Sequence, residues 1–147
     1  MLRKTIKYTD YNGVEREEQF LFHLSKAEIM EMEMGTTGGL VEMLQNVIDS
    51  NDSAEIVRIF KDIILKAYGE KSVDGKSFIK INDAGIPLSR RFSQTEAYSE
   101  LFMELSTDAD AAAKFIKGVI PSDIDITDEQ IEKIKQDAMK NAPQNIQ

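Results

Sequence analysis

The stretch KTIKYTDYNGVEREEQFLFHLS, residues 4–25, decides how the rest of the chain must be built. Residues 5–11 and 14–24 flank Asn12-Gly13, a dipeptide suited to the positive φ angles of a type I′ turn, and this predicts a β-hairpin over 4–24. In the first arm Ile6 and Tyr8 alternate with Lys7 and Thr9; in the second, Phe20, Phe22 and Leu24 share one face. Two strands alone are marginal in water, so the phenylalanine face needs other elements to lie on.

Those elements read as helices. Ser25-Lys26-Ala27-Glu28 is a capping box, and Gly35 stands where a helix over about 25–34 would end. Met30, Met32 and Met34 alternate with Glu31 and Glu33 as a strand would, yet Ala27, Met30 and Met34 also share a helical face; the cap favours helix. After the breaker at 36–39, Leu40, Val41, Leu44, Val47 and Ile48 recur at helical spacing, predicting a helix over about 39–50. Asp52-Ser53-Ala54-Glu55 opens another over 53–68. It bears Ile56, Ile59, Phe60, Ile63, Ile64, Ala67 and Tyr68, with Val57 and Leu65 widening an apolar arc that Gly69 terminates. Residues 69–91 are less regular: Phe78, Ile79 and Ile81 suggest a short strand or irregular segment, and Gly85-Ile86-Pro87 forbids a continuous helix.

Helices resume over about 93–106 and 108–118, the latter with Ala111, Ala112, Phe115, Ile116 and Val119 before Gly118 and Pro121 stop the pattern. Together these elements predict an α+β chain, mainly α: an N-terminal β-hairpin packed on a small bundle of about five to six helices. Residues 1–121 read as one domain. Residues 122–147 read as an acidic linker, a short helix opened by the box Thr127-Asp128-Glu129-Gln130, and a frayed tail.

Composition narrows the function classes. A chain of 147 residues holds one ordinary domain, and 41% hydrophobic with 30% charged residues is the balance of a folded protein. No apolar run is long enough for a bilayer, and Met1-Leu2-Arg3-Lys4 does not lead into a secretion signal, so a cytoplasmic location is expected, with no membrane partner. The absence of cysteine excludes disulfides, a thiol nucleophile and a thiolate metal site. A net charge of −8 argues against nucleic acid as a partner, because such affinity comes mainly from neutralising phosphates. Residues 53–91 carry eight Lys/Arg against five Asp/Glu, while 92–147 carry five against eleven. The two halves can pair internally, present different faces to partners, or simply be solvated.

Motif searches return no chemistry. Gly69 to Ser77, GEKSVDGKS, misses a P-loop by one residue, follows a helix and runs into FIKI, so a surface turn explains it better than a nucleotide site. A calcium loop from Asp123 through Asp125 and Asp128 would need glycine at Asp128 and glutamate at Ile134. His23, the lone histidine, reads as structural. No base can be placed beside a serine, so neither catalysis nor a metal or cofactor is expected.

The helix over 93–106 is the most heavily written part of the chain. Ser93 to Glu96 forms a Ser-x-x-Glu start signal, and Ala97, Tyr98, Leu101, Phe102 and Leu105 make one core stripe. Glu96, Glu100 and Glu104 follow at i, i+4 spacing along its flank. Each like-charge pair so placed costs an isolated helix about 0.2–0.5 kcal/mol. Met103 falls among them. These four residues are the candidate partner-binding set: an adaptable thioether for apolar contacts, ringed by carboxylates that keep the surface soluble and selective. An exposed methionine on an ordinary solvated face is the plain alternative.

Three segments, KTIKYTDYNGVEREEQFLFHLS, ILKAYGEKSVDGKSFIK and RRFSQTEAYSELFMELSTDADAAAKFIKGVIP, closely resemble the tail assembly chaperones of long-tailed siphophages and related prophages, over about residues 3–121. The resemblance implies a non-virion protein of the host cytoplasm that coats the tape measure protein until the tail tube polymerises around it. Such families commonly come in two lengths, the longer made by frameshifting and recruiting major tail tube protein; this chain resembles the shorter form. Self-association is a further possibility. The alternative reading is a structural virion protein, either a head-tail connector or a tail completion subunit.

Overall fold

The structure, a computed structural model, describes residues 1–34 and 53–121. The helix expected over 39–50, and the linker, helix and tail expected over 122–147, lie outside the described residues.

The hairpin forms from strands β1 (Leu2–Thr9) and β2 (Glu15–Phe22), antiparallel and in register from Leu2↔Phe22 to Thr9↔Glu15. Its inner face carries Ile6, Phe22 and the half-buried Leu2, Lys4, Tyr8 and Phe20, while Arg3, Thr5 and Lys7 look outward. The turn differs from the expected two-residue form. The Asp10 amide donates to the Val14 carbonyl at 2.9 Å and the Gly13 amide to the Asp10 carbonyl at 2.9 Å, so three residues make the loop. Asp10 selects this geometry. Its carboxylate accepts from the Asn12 and Val14 amides at 2.9 and 3.0 Å, and Gly13 supplies the positive φ of 78°. The same device recurs at Asn82–Ile86, where Asn82 Oδ1 accepts from the Ala84 and Ile86 amides at 2.9 and 3.0 Å and Gly85 has φ 79°.

Helix α1 (Lys26–Met34) follows, and its capping box is complete: the Ser25 amide donates to Glu28 Oε1 at 2.9 Å and the Glu28 amide to Ser25 Oγ at 3.2 Å. The face that it buries is not the one read from the sequence. Ile29 and Met32 pack inward while Ala27 and Met30 are exposed, because the cap, not the methionine spacing, sets the rotation of the helix. Burial raises the Glu28 carboxyl pKa, but hydrogen bonds from Lys80 and Ser25 outweigh it and leave the group below its ordinary range. Lys80 Nζ lies 2.7 Å from Glu28 Oε2 and donates to the His23 carbonyl at 2.7 Å, tying β2, α1 and the segment after residue 77 together.

Helix α2 (Ser53–Ala67) buries Ile59, Phe60, Ile63, Ile64 and Ala67, as its apolar stripe requires, although Val57 stays 42% exposed. It stops one residue earlier than expected. Tyr68 does not continue it but opens strand β3 (Tyr68–Lys71), which pairs through Phe22↔Tyr68 and Leu21↔Gly69 and then with β4 (Phe78–Ile79). The sheet therefore has four strands in the order β1-β2-β3-β4, and the helices rest on more than a lone hairpin. Gly69 is no helix stop. It is buried inside β3, where a Cβ would fall 2.5 Å from the Phe78 ring and 2.7 Å from the Ile79 carbonyl oxygen. The P-loop-like stretch is the β3–β4 turn, closed by the Ser72 amide on the Ser77 carbonyl and by Asp74 accepting from Ser72 Oγ and the Lys76 amide.

A short helix absent from the sequence reading, α3 (Leu88–Phe92), precedes α4 (Glu96–Thr107) and α5 (Ala109–Val119). The Ser93–Glu96 start signal is not used. Ser93 instead ends α3, with its amide on the Ser89 carbonyl at 2.8 Å, and Thr95 caps α4 by accepting from the Tyr98 amide at 3.3 Å. Asp108 caps α5 through the Asp110 and Ala111 amides. Helix α5 runs through Gly118, whose missing side chain admits Leu2 from β1.

The core gathers Ile6, Phe22, Leu24, Ile29, the α2 stripe, Phe92, Ala97, Leu101, Leu105, Phe115, Ile116 and Val119. Burying each large apolar side chain contributes about 1.5–3 kcal/mol, offset by the entropy of ordering the chain. Phe92 sits at the centre of its aromatic part. It stacks on Tyr68 with centroids 4.2 Å apart and planes 3° from parallel, and meets Phe20, Phe22 and Tyr98 at 5.3, 5.8 and 5.8 Å.

Candidate partner-binding surface

Helix α4 runs antiparallel beside β1, and the acidic row follows the strand. At one end the Glu96 carboxylate faces the Tyr11 phenol and raises the Tyr11 pKa above its ordinary value. At the other, Lys4 Nζ donates to Glu104 Oε1 at 2.7 Å. Lys4 stands on the inner face of β1, at the rim of the core, so its ammonium reaches the helix flank. Glu104 thus ties α4 to the strand. Glu100 remains exposed between Glu96 and Glu104, near Lys7, Tyr8, Thr9 and Arg16, and Met103 projects outward at 58% exposure. The structure brings the four sequence-selected residues onto one helical flank, with Glu100 and Met103 as its exposed members.

The Lys4–Glu104 pair is partly solvated, so its worth is small. A double-mutant cycle of Lys4→Ala and Glu104→Ala, followed by urea unfolding, is expected to give a coupling of about 0.2–1 kcal/mol that shrinks in 1 M salt. A coupling of zero would mean that packing alone holds α4 on β1.

A second surface was not legible in the sequence. Strand β2 pairs with β1 along its whole length but with β3 only at Leu21 and Phe22. Beyond Leu21 the β2–β3 pairing ends, while β3 continues to pair with β4 on its other edge. A cavity of about 540 Å³ opens in the gap, lined by residues 18–21 and 68–71. A larger one of about 720 Å³ adjoins it, sharing Glu18, Phe20, Tyr68 and Glu70 and reaching Ile86, Pro87, Arg90 and Arg91. Glu18 is already engaged, accepting from the Tyr8 hydroxyl and lying 3.6 Å from Arg16. Arg90 and Arg91 are exposed, and no ion pair holds either among the described residues. The one signal that pointed here was the Asn82–Ile86 turn, which repeats the Asp10–Val14 pattern and folds Ile86 and Pro87 back over the sheet.

His23, at the end of β2, packs edge-on against Phe78, and its Nδ1 is buried without a partner. Burial first, then the positive charges of the N-terminus and Lys80, lower its pKa. The lowered pKa favours the neutral imidazole.

The described residues thus form a small α+β domain with a methionine beside a carboxylate on one flank and an aromatic-lined groove on another. Over residues 1–147 the chain matches the family described as Phage tail assembly chaperone, and it belongs to that family. The match extends the similarity expected over 3–121 to the whole chain. No curated protein and no solved structure matches it.

Proposed function

We propose that this chain binds the tape measure protein in the host cytoplasm, keeps it soluble by covering its apolar helix surface, and leaves when tube subunits displace it. Family membership over the whole chain carries this reading. The surface supports it. A long helical protein exposes more apolar area than water tolerates, and large uncovered patches associate. Met30 at 63%, Ile81 at 59% and Met103 at 58% exposure give this domain scattered, adaptable apolar contacts set among carboxylates. Each contact is weak, but many copies along one partner cover it and still exchange. The chain acts by stoichiometric binding and not by catalysis, and a longer frameshifted form recruits the major tail tube protein.

The test is co-expression with the tape measure protein, scored by the soluble fraction of that partner. Solubility is expected to rise several-fold with this chain and to fall by at least half with the Glu100→Lys/Met103→Glu double variant. An equally insoluble partner in all cases overturns the proposal. Stoichiometric recovery of the chain from purified virions would favour the structural-component reading instead.

A further inference from the structure

We propose that the split between β2 and β3 is a docking groove for an extended segment of a partner protein, one that alternates outward polar residues with inward apolar residues and an inward carboxylate. The inference rests on the reading of this chain as a binder of other chains and gives that reading a specific surface.

Three observations carry it. The first is backbone chemistry. In the β1–β2 ladder the Asp10–Val14 hydrogen bond places the peptide groups of even-numbered β2 residues toward β1. Those of Glu15, Glu17 and Gln19 therefore point the other way. Gln19 stands where a continued register would set it opposite Lys71, yet the pairing stops at Leu21↔Gly69, and Lys71 is paired only across its other edge, with Phe78. A strand edge left open in this way among the described residues is a template for one more strand.

The second is the shape beneath that edge. Side chains of an added strand alternate, and every second one would enter the cavity of about 720 Å³ floored by Phe20 and Tyr68 and walled by Ile86 and Pro87. The third is charge. The chain is acidic overall at −8, yet this groove holds adjacent arginines without an acidic partner among the described residues, while Glu18 is engaged by Tyr8 and Arg16. Glu70 also lines the cavity and is exposed; a partner carboxylate belongs by Arg90 and Arg91, an aliphatic group over Phe20 and Tyr68.

The experiment titrates the full-length isotope-labelled chain with the amidated, acetylated peptide TITDTIT and with TITKTIT, following amide shifts by NMR. The aspartate peptide is expected to bind at least tenfold more tightly, with the largest shifts at Glu17, Gln19, Lys71, Arg90 and Arg91. Arg90→Glu/Arg91→Glu, a pair of exposed positions, should abolish or invert the preference. Gln19→Pro removes an amide that no strand of the described residues takes up and should weaken binding at least fivefold; should it fail to fold, the arginine variant decides alone. Equal binding of both peptides, or shifts confined to the free edge of β1, overturns the groove. That result leaves co-expression solubility untouched, whereas failure of the broader reading appears as an insoluble partner whatever the peptides do.

Discussion

Phe92→Ala is expected to cost about 3–5 kcal/mol, the largest loss from any single truncation in this fold. Phe92 is 3% exposed and belongs to a helix of five residues, so nothing local explains its importance. Its ring lies flat on Tyr68 of β3, between Phe20 and Phe22 of β2 and Tyr98 of α4. Removing it opens a cavity among four aromatic rings anchored on three different elements, which cannot all close in on it at once. Each favourable ring pair adds about 0.5–1.5 kcal/mol beyond simple burial. A domain of this size is stable by about 5–15 kcal/mol, so the variant should be marginal at 37 °C. Phe92→Leu, which keeps most of the volume, is expected to lose about 1–2 kcal/mol. Urea unfolding of the three proteins gives both numbers. A loss below about 1 kcal/mol for the alanine variant would show that the cluster is not a cooperative part of the core.

Gly69→Val is expected to cost about 2–3 kcal/mol or more and to loosen one edge of the sheet before the rest. The added Cβ would meet the Phe78 ring at 2.5 Å and the Ile79 carbonyl at 2.7 Å. A ring can swing aside, but a carbonyl oxygen moves only with its strand. The expected result is faster amide exchange at Glu70, Ser72 and Ile79, with Ile6 and Phe22 still protected. Gly118→Ala is the control, because its new methyl meets only the flexible Leu2 side chain, at 2.8 Å. Equal destabilisation of the two variants would contradict the claim that backbone contact sets the penalty.

The elements whose reasons are local were legible in the chain. The hairpin follows from alternation around a turn, α1 from a capping box, and α2 and α5 from apolar stripes that the core absorbs. The errors fall where a residue's partner is distant in sequence. Tyr68 shares the periodicity of α2, yet it stands opposite Phe22, forty-six positions away by number, and the ladder bonds of its neighbours, such as the His23 amide on the Ala67 carbonyl, outweigh helical spacing at a helix end. Ser93 and Glu96 spell a start signal that Phe92 overrides, because holding that ring in the aromatic cluster keeps residues 88–92 helical and moves the cap to Thr95.

The candidate site divides in the same way. The sequence alone placed Glu96, Glu100, Met103 and Glu104 on one flank of one helix, because helical geometry leaves no choice once the stripe is known. Only the tertiary structure decided that Glu104 turns to Lys4, on a strand 100 positions earlier in the chain, and that Glu96 lies by Tyr11 of the hairpin turn. The groove between β2 and β3 belongs wholly to the tertiary level. It exists because two strands that begin paired part company, and a single chain's pattern of apolar and polar residues records which face a strand buries but not where its neighbour leaves it.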